Sequence, residues 1–447
     1  MATGTGFSFT QDSLREIAAD VLRHATTQGA SACSVDVSEG WGHSVTVRQG
    51  DVDTLEYHRD KGVSVTVYLG QQRGHASTTD FAPQALRDTV AAAVSIARFT
   101  ASDPAAGLPD ADQLAREPRE LGLFHPWATD VDTSIDMARR CEEAGFAVSD
   151  QVSNSEGASV STQQSQFVSA NSLGFCEGFA TTRHGFGCSM IAGEGDGMQR
   201  DDWFVTKRDA ATLPAPEAVG AYAARRALSR LNARKLSTCE VPVLFEAPLA
   251  ASLIGHFVTA ASGGSLYRRS SFLLDALGEK VFSDVVTLLE DPFIPGGMAS
   301  GWFDDEGVAT ARREVVSRGT LNGWFLGSYS ARKLGLKSTG NAGGCHNLIL
   351  QPGKLDLNGL LKKMGRGLFV TELLGHGVNN VTGDYSRGAA GYWVENGEIA
   401  YPVHEITIAG NLREMYADIV ACGNDMLTRG SKHCGSVLIG NMTVAGD

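Results

Sequence analysis

Several things are missing from this 447-residue chain, and each absence removes a class of function. None of its eight cysteines (Cys33, Cys141, Cys176, Cys188, Cys239, Cys345, Cys422 and Cys434) stands in a Cys-x-x-Cys pair, so neither a zinc ribbon nor a disulfide framework is expected, and the thiols are read as reduced. No apolar run reaches the 18 residues that a membrane-spanning helix needs. Residues 1–10 lack both a basic start and an apolar core, so they do not read as a secretory signal, and the cytoplasm is the expected compartment. There is no Gly-Lys-Ser/Thr. The glycine-rich stretches 340–346 and 365–367 are therefore not phosphate loops, and the second runs straight into the apolar strand 368–370. A Gly-x-Ser-x-Gly elbow is also missing, which leaves a serine hydrolase little support. Positive charge is scarce as well. A net charge of −13 argues against nucleic acid or an anionic membrane as a partner, since both call for a basic face.

What is present is ordinary for a folded protein: 43% hydrophobic and 20% charged residues, in a chain long enough for two or three domains. Residues 11–28 carry Leu14, Ile17, Ala18, Val21, Leu22 and Ala25 at helical spacing, and Gly29 ends the run. Short alternating runs follow at 34–37, 43–48, 54–57 and 63–68, which predicts an antiparallel meander. A helix over 80–98, with Pro83 in its first turn, closes the unit. Residues 102–126 read as a linker. The pattern then returns: a helix over 133–149, alternating runs through 150–206, and a helix over 215–231 with Arg225 and Arg226 on its wet side. This repetition suggests an internal duplication. The single histidines His24, His43, His58, His75, His125 and His184 read as surface or hydrogen-bonded residues.

Past Arg234 and Lys235, residues 241–245 form a continuous apolar strand and 249–262 an apolar helix. A strand–turn–strand is expected over 312–324, turning at Arg318–Gly319, and a helix from Tyr329. Asn396–Gly397 between strand formers is a two-residue hairpin turn, because both positions need positive φ. The return strand runs from 398 to 403 and breaks at Pro402. A further strand covers 405–409, and Asn411 caps a helix reaching to about 422. His404–Glu405 invites a zincin reading, which fails because Ile408 stands where the second histidine is required.

The run GDYSRGAAGYWVENGEI at 383–399, with TIAGN at 407–411, resembles the TldD/PmbA family, and within it the PmbA (TldE) branch. SYSARKLGL at 328–336, CGSVL at 434–438, Arg183–His184 and STTD at 77–80 fit the same branch, so the resemblance covers nearly the whole chain. It implies a metallopeptidase relationship and a barrel-like C-terminal domain. The resulting fold class is α+β: two N-terminal helix–antiparallel-meander–helix units (1–125 and 126–235) and a C-terminal curled antiparallel β-sheet, barrel-like, with helices (236–447). In the TldD branch the helix at 249–262 carries His-Glu-x-x-x-His, a set that holds zinc and activates its water. Here Phe257 follows His256, and Ala261 stands five residues after it. The chain is accordingly expected to bind no metal and to have no catalytic residue of its own. His256 and Cys434, the latter where the metal branch has a cysteine ligand, are kept as remnant positions. His256 reads as a packed histidine and Cys434 as a buried thiol.

Three functions follow for testing. In the first, the chain is the zinc-free subunit of a TldD–PmbA peptidase acting on unfolded or short peptides, with zinc on a TldD-type partner and peptide accommodated by strand addition. In the second, it is a stand-alone homodimer that binds peptides without cleaving them. In the third, Asp384, Tyr385, Ser386 and Arg387 form a non-metal hydrolase site. The competing reading of these four residues is a tight glycine turn, and they are retained as candidate peptide-binding positions.

Overall fold

The structure is a computed structural model and describes residues 6–446. The first five positions of the leader reading lie outside it. The first helix, Gln11–Thr27, starts where the Thr10 hydroxyl accepts from the Ser13 N–H, and it buries Leu14, Ala18, Val21 and Ala25 at intervals of three and four residues.

The alternating runs of the first unit merge into strands longer than the sequence suggested. Residues 34–37 and 43–48 belong to one strand, Ala32–Arg48, while 54–57 and 63–68 belong to Asp51–Leu69. Gly40, Trp41 and Gly42 interrupt the hydrophobic alternation but not the pairing, which runs on through them to both neighbouring strands. The two meanders also share one sheet. Ala32–Arg48 pairs antiparallel with Val152–Asn171 from Ser34↔Asn171 to Val47↔Ala158. The order across the sheet is Gln72–Thr78, Asp51–Leu69, Ala32–Arg48, Val152–Asn171, Ala180–Ala192, Gln199–Lys207. Val35, Val37, Val45 and Val47 alternate on a single face. The first pair packs on Gln11–Thr27 and Pro83–Phe99, the second on Val131–Phe146 and Pro216–Ser229. All four helices therefore lie on one side of the sheet.

The linker is not free. Leu114, Ala115, Leu121 and Leu123 are buried against Phe175, Trp302 and Phe303. Arg332 donates to the carbonyls of Ala105 and Gly107 at 3.3 Å each, and also to that of Leu108. This stretch straps the N-terminal sheet to the C-terminal half.

In that half, the strands Glu398–Asn411, Asp384–Glu395, Gly367–Leu374, Cys239–Phe245 and Val437–Ala445 pair in sequence, and the last closes back on the first through Thr407↔Ala445 to Ala409↔Thr443. The result is the barrel that the resemblance implied. Val243 and Phe245 pack with the helix Ala247–Ala260, whereas Leu244 packs with Leu357–Met364. The hairpin turn is as expected, with φ of 52° at Asn396 and 78° at Gly397.

Three readings need correction. The strand does not break at Pro402, because Glu398–Asn411 is continuous and a bulge with Glu405 at φ 51° absorbs the irregularity. The helix capped by Asn411 ends at Ala417, and Ile419–Cys422 is a strand on Val437–Ala445. Arg226 is not on a wet face: its side chain is 12% exposed and grips Glu246 through Nη1 and Nη2 at 2.6 and 3.0 Å.

Arg226 Nε also donates to Asp201 at 3.0 Å, and Asp201 and Glu372 share Arg230. Glu246 stands at the N-cap position of Ala247–Ala260 with its carboxylate on Arg226 instead of the helix N–H groups, so this network ties the second unit to the barrel helix. Burial pushes the Glu246 carboxyl up, with Arg226 opposing. Replacing Arg226 by Met strands that carboxylate and is expected to cost about 3 kcal/mol in chemical denaturation. An acid whose folded pKa is raised loses stability as pH rises, so the Arg226→Met deficit should be larger at alkaline than at mildly acidic pH. A deficit indistinguishable from zero at both would contradict this role.

Candidate functional site

The glycine-rich run is a barrel strand rather than a turn. Gly383, at φ 85°, precedes it, and Asp384–Glu395 is continuous. Gly391 is required by close approach, since a Cβ there would lie 2.0 Å from the Phe369 carbonyl oxygen. Strand alternation separates the four candidate residues. Asp384 and Ser386 are exposed, while Tyr385 is 1% exposed. Asp384 is held locally, accepting from the Thr382 hydroxyl at 2.6 Å and from Asn411 Nδ2 at 3.2 Å. The four side chains do not form one constellation.

Tyr385 instead meets His256. Their rings lie 6.1 Å apart at 76°, in an edge-to-face arrangement. The Tyr385 hydroxyl and His256 Nε2 are both buried without a hydrogen-bond partner among the described residues. Burial lowers the His256 pKa and the nearby Arg387 charge adds to this, so the imidazole is held neutral. Burial also pushes the Tyr385 phenol up to about 12, against the pull of Arg387.

Cys434 sits elsewhere. It lies in the strand Lys432–Cys434, is 1% exposed, and its Sγ donates to the Ala247 carbonyl at 3.5 Å. Ala247 and His256 stand nine residues apart on one helix, roughly 13 Å along its axis. Cys434 therefore sits by the first residue of the helix and His256 in its third turn. Burial, with smaller contributions from Cys422 and Asp425, pushes the Cys434 thiol up to about 12. Catalytic zinc takes three protein ligands around one point. Among the described residues no three His, Cys, Asp or Glu side chains come together so as to hold an ion. The donor set does not fit a zinc site.

A cleft of about 550 Å³ opens between the N-terminal sheet and the C-terminal half, lined by Asp36, Phe167, Phe179, Asp305, Gly343 and His346 among others. Burial raises the carboxyls of both Asp36 and Asp305. Sequence reading missed it. Its walls come from both halves of the chain, and of the glycines that line it Gly343 marks a close approach, since a Cβ there would lie 2.2 Å from Asp305 Oδ2.

Comparison with known proteins places these features. The PmbA/TldA metallopeptidase domain 1 matches residues 33–97, the central domain 124–231 and the C-terminal domain 238–446. The chain belongs to the PmbA/TldD metallopeptidase family. It is 48% identical to the metalloprotease PmbA of Escherichia coli O157:H7, over 97% of this chain and 96% of that one. Identity is 42% to the PmbA homologue of Haemophilus influenzae, over 98% and 97%. A TldD homologue from Buchnera aphidicola is more distant, at 23% over 85% and 82%, so within the PmbA/TldD family the chain sits with the PmbA branch. Among solved structures, a Thermotoga maritima protein proposed to modulate DNA gyrase is 27% identical, with TM-score 0.87 over 96% of this chain and 99% of that one. TldE from Thermococcus kodakarensis shares the fold at 20% identity, with TM-score 0.85 over 96% and 100%.

The geometry at Cys434 predicts an inert thiol. In the native protein at neutral pH, iodoacetamide should leave Cys434 unmodified by peptide mapping, and denaturant should expose it. Native labelling at the rate of a free thiol would contradict the buried placement.

Proposed function

We propose that this chain is the PmbA/TldE-type subunit of a two-subunit TldD–PmbA metallopeptidase, and that the zinc and its water-activating glutamate reside on a TldD-type partner. The observation that carries this reading is the separation of Cys434 from His256 by most of a helix. A family member with a peptidase fold but no converging ligand set needs its chemistry supplied from outside the chain. The substrates that suit it are unfolded or short peptides. A cleft floored by sheet and edged by glycine backbone accepts an extended main chain through backbone groups, which tolerates many sequences. The exposed Asp384 and Ser386 are the candidate positions of the barrel strand for contacting such a peptide.

The test is cleavage of a fluorogenic unfolded peptide by this chain alone, by a TldD-type partner alone, and by the mixture. Turnover confined to mixtures whose partner retains its His-Glu-x-x-x-His glutamate is the expected result. Full turnover by this chain alone would overturn the proposal. Peptide binding by this chain with no turnover in any mixture would favour a stand-alone binding protein instead.

A further inference from the structure

Where the second unit meets the barrel, a cavity of about 270 Å³ opens beside the Arg226 network. It lies between the strand Gln199–Lys207, the end of Gly367–Leu374 and the first turn of the helix Ala247–Ala260. Most of the charges around it have partners. Arg226 holds Asp201 and Glu246, and Arg230 and Arg200 hold Glu372. Arg429 does not follow this pattern. It lines the same cavity, yet its Nε and Nη2 are buried with no hydrogen-bond partner among the described residues. Thr371 lines the cavity too. It is 8% exposed, and its hydroxyl is likewise buried and unpartnered. A buried polar group without a partner costs free energy, and a charged one costs more. Burial accordingly lowers the Arg429 pKa.

The two unpartnered nitrogens decide what fits. Nε and Nη2 share one edge of the guanidinium, and their N–H bonds run parallel, at the spacing at which the two oxygens of a carboxylate accept both. The plane of this fork is fixed, because the guanidinium carbon lies 4.0 and 3.9 Å from the ring centres of Trp203 and Phe204. The barrel helix adds a field of the same sign. Pro248 and Leu249 of its first turn line the cavity, and no side chain caps it, since the Glu246 carboxylate is turned to Arg226. The resident acids do not answer Arg429. Asp201, Glu246 and Glu372 are taken by other arginines, and Asp202 is exposed and acts on Arg429 only through its charge. The volume falls just short of the range of about 300–1,000 Å³ usual for small-molecule sites, so it suits a small acid or the end of a chain.

We propose that this cavity is a carboxylate-binding site, in which Arg429 takes both oxygens on its Nε–Nη2 edge and the Thr371 hydroxyl donates a further hydrogen bond. A free small acid and the C-terminus of a peptide present the same two oxygens, and the test below separates them. The site is built from this chain alone and is independent of where the peptidase zinc resides.

Titration calorimetry of the full chain uses three probes: acetyl-dialanine with a free C-terminus, the same peptide amidated, and succinate. Saturable binding of the free-acid peptide or of succinate is expected, with none of the amide, and the tighter of the two acids identifies the source. Arg429→Met keeps an apolar contact with both rings and should weaken acid binding at least tenfold, while the near-isosteric Thr371→Val should weaken it roughly fivefold. Because Arg429 has no partner in the free protein, Arg429→Met should leave the free protein's thermal midpoint unchanged or raise it, and added acid should no longer raise it further. An arginine with a purely structural role would do the reverse, lowering the midpoint on removal and leaving the response to acid intact. Binding of neither acid, equal binding of the amide, or acid binding that survives both Arg429→Met and Thr371→Val would overturn the proposal.

Discussion

The ion network around Arg226 is the constraint on which the arrangement of this protein depends. Helix Pro216–Ser229 belongs to the N-terminal sheet, and helix Ala247–Ala260 belongs to the barrel. Arg226 and Arg230 reach from the first to Glu246, Asp201 and Glu372, which places charges of both signs in a region largely closed to water. Such a network contributes little net free energy relative to apolar packing, but it is specific, because a buried carboxylate tolerates no other register. Glu246 stands just before the helix that carries His256. The network therefore fixes where that helix begins relative to the sheet, while the strap at 102–126 packs on Phe303, which lines the cleft between the halves.

The barrel helix then determines what the site can do. Its first residue offers the Ala247 carbonyl to Cys434, and its third turn presses His256 against Tyr385. Each of these groups is held in its uncharged form by burial. The neutral imidazole packs against a neutral phenol, and the spacing along the helix keeps any one ion from touching both His256 and Cys434. The fold of a metallopeptidase family is thus retained around a helix whose one histidine is His256.

Much of this architecture was legible from the chain itself. Helix positions followed from apolar spacing at Leu14, Ala18, Val21 and Ala25, and the Asn396–Gly397 turn followed from the need for positive φ. The motifs at 383–399 and 434–438 pointed to the right branch of the family. What escaped was whatever depends on partners distant in sequence. Arg226 looked like a surface residue because Asp201 and Glu246 are invisible as its neighbours in a linear reading. Residues 102–126 looked like a linker because Trp302 and Phe303, which bury Leu121 and Leu123, come almost two hundred positions later. Asp384, Tyr385, Ser386 and Arg387 looked like one cluster because adjacency in sequence does not show that a strand turns alternate side chains to opposite faces.

The most direct test of the central claim is zinc stoichiometry. The purified chain is dialysed to equilibrium against low-micromolar zinc and its bound metal is measured by mass spectrometry, beside the Cys434→Ala and His256→Ala variants. The account predicts substoichiometric zinc in the wild type and no change in either variant. One tightly held zinc per chain, lost in both variants, would contradict it.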